Sequence, residues 1–124
     1  MNEAEHGAGL AATPGYRYAD VVGDELFVAG QVPHDADGSL VGDGAAGEQA
    51  DRCLTNLFRL LDVHGFERDQ VRRLVIYVVG DDLAGAWKSV RARFDGEVPS
   101  AALLGVARLG HLGQLVEIDA TIRR

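Results

Sequence analysis

Cysteine is nearly absent from this sequence: Cys53 stands alone, so no internal disulfide can form, and a reducing compartment is the natural setting. Long apolar runs are also missing, and nothing approaches the length of a bilayer span. The opening MNEAEHGAGLAATPG is acidic and small where a secretion signal would be basic and then apolar. No membrane association is therefore expected, and the cytoplasm is the expected location. Excess positive charge is lacking too. Twelve basic against nineteen acidic residues leave a net charge of −7, and the small basic groups at Arg72-Arg73, Lys88 with Arg91 and Arg93, and Arg123-Arg124 are interrupted by acids. Such a balance repels a polyanion, so nucleic acid is not expected as a partner. The four histidines, His6, His34, His64 and His111, show no pair at metal-ligand spacing, and the glycine-rich stretch from Gly38 to Gly47 lacks the lysine of a phosphate loop. Neither a metal site nor a phosphate loop is expected.

What remains is an ordinary globular composition, 47% hydrophobic and 25% charged, in 124 residues, enough for one core. Residues 1–14 read as a mobile leader with little core of their own, and residues 15–124 as a single domain. Tyr16 to Val22 and Glu25 to Ala29 read as strands around a Gly23-Asp24 turn. A loop rich in Gly, Asp and Pro follows, with a short strand at Leu40-Val41. Ala50, Cys53, Leu54, Leu57, Phe58 and Leu61 fall at helical spacing between Gly47 and His64, and Gly65 stands where a C-terminal cap belongs. Cys53 lies on that stripe and reads as core. Val71 to Val79 reads as a central strand, and Asp81 or Asp82 caps a second helix carrying Leu83, Ala86, Trp87, Val90 and Phe94 on one face.

The stretch from Pro99 to Ile122 holds two apolar-rich runs joined by Gly110-His111-Leu112-Gly113. The second run alternates, with Leu115, Glu117, Asp119 and Thr121 to one side and Val116, Ile118, Ala120 and Ile122 to the other. Read as a hairpin, it sets Glu117 on a face that the preceding strand lines with Ala101, Leu103, Gly105 and Ala107. The whole pattern predicts an α+β fold: a two-layer sandwich of a mixed β-sheet with two helices on one face. The uncovered sheet face is too apolar for water, and self-association is the expected cover.

Four strings, LFVAGQVPHDADGSLVG, QADRCLTNL, VRRLVIYVVGDDLAGAWKSVRARF and VPSAALLGVARLGHLGQLVEIDA, follow one another with an order and spacing that resemble the RidA/YjgF superfamily from Tyr16 to Ile122. The resemblance implies a chorismate-mutase-like subunit, a homotrimer with small-molecule clefts between neighbouring subunits, and cofactor-free hydrolysis of reactive enamines and imines to keto acids and ammonia. Residue by residue, it implies catalytic roles for Glu117 and Tyr16 and ligand contacts at Ala29, Gly30, Gln31, Trp87, Ala101, Leu103 and His111. Several of these depart from the family pattern. Ala101 stands where the deaminase branch has a carboxylate-gripping arginine, Leu103 where it has cysteine, Trp87 where asparagine is common, and Ala29 where a small hydroxyl residue is usual. The turn holding His111 is one residue longer and lacks the usual proline. An alanine cannot replace the planar fork of arginine. The implied protein is a divergent, deaminase-like hydrolase that acts on a small metabolite by water or proton transfer in an apolar intersubunit cleft, without the usual handling of a carboxylate-bearing imine. The alternative is a non-catalytic trimer that binds a metabolite or a protein. Glu117 reads as a general acid or base acting through water, or as a structural carboxylate tied to backbone or to a basic group.

Overall fold

The structure, a computed structural model, describes residues 2–124. In chain order it runs α1 (Glu3–Gly7), β1 (Ala19–Val22), β2 (Glu25–Val28), α2 (Ala46–His64), a single 3-10 turn (Arg68–Gln70), β3 (Val71–Val79), α3 (Leu83–Arg93), β4 (Ser100–Val106) and β5 (Val116–Arg123). The five strands form one mixed sheet in the order β1-β2-β5-β3-β4, so the α+β expectation holds.

The apolar stripe of α2 packs Ala50, Cys53, Leu54, Leu57, Phe58 and Leu61 against Leu74, Ile76 and Val78 of β3 and Val116, Ile118 and Ile122 of β5. Burying a leucine or isoleucine in this way contributes about 1.5–3 kcal/mol, which is what holds helix and sheet together. Gly65 ends α2 as expected. Asp82, one of the two candidate caps, starts α3 by accepting the Gly85 N–H at 2.9 Å.

Several expectations differ from the structure. The stretch from Pro99 to Ile122 is not a hairpin, because β3 lies between β4 and β5. The physical reason is the α3 crossover, which delivers β4 parallel to β3 and leaves the antiparallel edge of β3 for β5. The faces change accordingly. Leu74, Ile76 and Val78 pair with Ala101, Leu103 and Gly105 on one side and with Ala120, Ile118 and Val116 on the other. Ala101 and Leu103 therefore share the helix-covered face. Glu117 pairs with Tyr77, which pairs with Leu104, and all three belong to the open face.

The leader is seated as well. Asn2 and Glu5 form a reciprocal cap on α1, the Glu5 carboxylate meets His64 Nε2 of α2 at 3.0 Å, and Leu10 is buried with Tyr18 and Leu60. Glu5 is only 2% exposed, and His64 of α2 supplies the polar partner that a buried carboxyl group needs. Lastly, β1 starts at Ala19, three residues beyond Tyr16, and the expected strand at Leu40-Val41 is reduced to a bridge between His34 and Leu40.

Candidate functional site

Beyond β2 the chain passes through Ala29 and Gly30 to Gln31, whose backbone exchanges two hydrogen bonds with Ile118: Gln31 N–H to the Ile118 carbonyl at 2.7 Å and Ile118 N–H to the Gln31 carbonyl at 3.0 Å. This bridge lays the backbone at Gly30 directly over the side chain of Glu117. A Cβ at Gly30 would stand 2.7 Å from Glu117 Oε2 and 3.0 Å from its Cδ, so the close approach requires glycine.

Half-buried Glu117 lines an open depression of about 430 Å³ together with Val28, Gly30, Tyr77, Leu109 and Asp119. Tyr16 is not among the lining residues but lies within electrostatic reach of Glu117. Burial, and then the Glu117 carboxylate, push the Tyr16 hydroxyl above the ordinary phenol range, so it remains a protonated donor throughout the neutral region. The site thus combines a carboxylate, a phenol donor and a second carboxylate on aromatic and apolar walls. Such a set can take a proton from water, return it to nitrogen or oxygen, and stabilise a developing positive charge. A depression of about 460 Å³ between α2 and α3 is of similar size, but its Asp51 is already paired with Arg93 at 2.8 Å.

Of the residues marked out in the sequence, Gly30 and Glu117 meet, with Tyr16 within electrostatic reach. Ala29 contributes backbone only: its N–H donates to Tyr18 and its carbonyl accepts from the Gln31 side-chain amide at 2.7 Å. That amide belongs to a residue 1% exposed and is committed to its own turn. Trp87, Ala101 and Leu103 pack at the margin of the helix-side core, across the sheet from Glu117. His111 lies against His34, with ring centroids 4.8 Å apart, while Leu109 is the residue of that turn that reaches the depression. Cys53 is fully buried, and burial pushes its thiol well up, which leaves it a packing residue. Among the described residues no group of three or more His, Cys, Asp or Glu side chains is placed to hold a metal ion, and no helix is long and apolar enough to cross a membrane.

Two glutamines escaped the sequence reading. Gln49 of α2 is fully buried and makes four bonds: its amide donates to the carbonyls of Gly42 and Gly113, both at 3.1 Å, and its oxygen accepts the N–H groups of Leu115 and Val116 at 2.6 and 3.3 Å. Gln114, 4% exposed, reaches both the backbone of its turn and Glu117. Gln49 carried a legible signal, an amide four residues before Cys53 on an apolar stripe. Gln114 carried none.

The chain matches the family described as Endoribonuclease L-PSP over residues 7–123. It is 33% identical over 108 residues to the RutC family protein y4sK of Sinorhizobium fredii, covering 86% of this chain and 85% of that protein. It is 28% identical over 111 residues to the protein HMF1 of Saccharomyces cerevisiae, covering 89% and 84%. Among solved structures it superposes on the E. coli YjgF gene product with a TM-score of 0.84 at 23% identity, covering 94% of each chain. E. coli TdcF, solved with bound serine, gives 0.83 at 22%, again covering 94% of each chain. The family match spans nearly the whole chain, and the chain belongs to the Endoribonuclease L-PSP family, within the RidA/YjgF superfamily.

Proposed function

We propose that this protein is a divergent, cofactor-independent member of its superfamily that hydrolyses a small imine or enamine, with Glu117 moving the proton. The observation that carries this reading is Glu117 itself, held under Gly30 in an open depression, with Tyr16 within its electrostatic reach. In the proposed step the Glu117 carboxylate takes a proton from water as the water oxygen bonds to the C=N carbon. The C=N electron pair moves to nitrogen, which takes up the proton that Glu117 drew from the water. Collapse of the carbinolamine then breaks the C–N bond and releases a carbonyl compound, while Glu117 takes the hydroxyl proton and passes it to the departing nitrogen, which leaves as the amine.

The departure at Ala101 supports a substrate without a carboxylate, or an aromatic one. Leaving an anion in a closed site without its cation costs about 3–5 kcal/mol. The two carboxylates at the depression and the net charge of −7 weigh against RNA as the substrate, whatever the family description. We read the working form as a cytoplasmic homotrimer. Val22, Phe27 and Leu104 on the open face are 61%, 55% and 44% exposed, apolar surface that a second copy would cover. Trp87, Ala101 and Leu103 can join Glu117 in one cleft only if a neighbouring subunit supplies them.

A panel of imines, with and without carboxylates, offered to the wild type and to Glu117→Gln tests the reading. The variant should lose about 10²- to 10⁴-fold in turnover on the preferred imine. Equal turnover by the two proteins overturns the mechanism. The replacement of arginine and cysteine by Ala101 and Leu103 also fits a trimer that binds without catalysis. A compound that raises the melting temperature and is recovered unchanged would favour that second reading.

A further inference from the structure

We propose that Gln114 is a positioning residue for Glu117, holding one carboxylate oxygen so that the other faces the depression. Gln114 is 4% exposed, and a buried amide is tolerated only when its donors and acceptor are matched. Its Oε1 accepts the His111 N–H at 3.2 Å. Its Nε2 donates to the Val116 carbonyl at 3.0 Å, and the same nitrogen stands 3.4 Å from Glu117 Oε1. An amide nitrogen carries two hydrogens, so both contacts can be made at once. The second is long for a hydrogen bond. Glu117 Oε2, on the opposite side of the carboxylate, lies over Gly30. One oxygen is tethered, and the other lies beside Gly30, a residue of the depression wall.

The tether is useful only if its own base is rigid, and the turn that carries Gln114 is fastened at three points. Gln49 accepts the N–H groups of Leu115 and Val116 and donates to the Gly113 carbonyl. The His111 ring packs on His34. Gly113 adopts φ 76°, in the left-handed region, so a side chain at this position would strain the turn. The amide of Gln114 is thereby presented to Glu117 from a fixed position.

The catalytic consequence rests on the proposed role of Glu117, whereas the placement itself can be tested apart from it. In a side-chain ¹⁵N–¹H spectrum of the full-length protein, Glu117→Ala should move one Gln114 Nε2 proton resonance and leave its twin, bonded to Val116, in place. If neither moves, the tether does not exist. In kinetics with N-benzylidenemethylamine, a carboxylate-free aromatic imine, Gln114→Met should lower kcat about tenfold to a hundredfold with KM nearly unchanged. Added to Glu117→Gln, the same substitution should have no further effect. An equal loss in both backgrounds would reduce Gln114 to a support of the turn and overturn the proposal. Should the wild type leave this imine untouched, the chemistry proposed for Glu117 loses this support, and the amide resonance alone decides the placement. That measurement uses Glu117→Ala and does not depend on the folding of the Gln114 variant.

Discussion

Three rows of paired residues cross the helix-covered face of the sheet, Ala101–Leu74–Ala120, Leu103–Ile76–Ile118 and Gly105–Val78–Val116, and none carries a polar side chain. The two intervening rows on the open face, Ala102–Val75–Asp119 and Leu104–Tyr77–Glu117, each end in a carboxylate. The backbone ladder is the same for both, so the difference lies in what each face meets. One is pressed against helices and must be apolar for the fold to exist. The other is free of that demand, and the acids on β5 are where selection other than for folding has room to act.

The sharpest way to break this comparison is to damage the covered face. Ile76→Ala removes a fully buried side chain from the central strand and should lower the free energy of unfolding by about 2–5 kcal/mol, read from urea denaturation. A smaller change would mean that the core collapses around the cavity. Next in size is the seat of the leader. Glu5→Ala deprives His64 of its partner and should cost about 1–3 kcal/mol in the same assay. An unchanged midpoint would show that α1 contributes nothing to the folded state.

A smaller effect is expected from pH. Burial, and then the neighbouring His111, hold His34 below the ordinary histidine value of 6.5, with Asp35 opposing them. The unfolded chain therefore takes up this proton first. Stability should be full above pH 6.5, decline as pH falls below it, and level off beneath the folded-state value. Urea midpoints between about pH 8 and about pH 5 check the slope, and His34→Gln should flatten it. The smallest effect on stability belongs to the open face. Glu117→Gln should shift unfolding by no more than about 0.5 kcal/mol while abolishing most turnover. Should it destabilise the protein as Ile76→Ala does, Glu117 is a structural carboxylate and the contrast between the faces fails.

Much of this was legible in the residues. The spacing from Ala50 to Leu61 announced α2 and its buried face, the β-branched run at Val71 to Val79 announced the central strand, and Gly30 and Glu117 stood out through the order of the family strings. The seat of α1 was hidden because it depends on one side-chain contact between Glu5 and His64, 59 residues away, and on Leu10 meeting Leu60. The role of Gln114 was hidden for a similar reason. An amide in a glycine-rich turn looks exposed until Gln49 and His34 hold the turn down.

By itself the sequence determined that Glu117 and Asp119 point away from Val116 and Ile118, since alternation along an extended strand is a local property of the backbone. Only the tertiary structure decided which residues of the other strands share their face. That assignment is made by the hydrogen-bonded register of β5 and β4 on the two edges of β3, and the α3 crossover placed β3 between them. A shift of one residue in that register would exchange the two faces, and no local pattern records it.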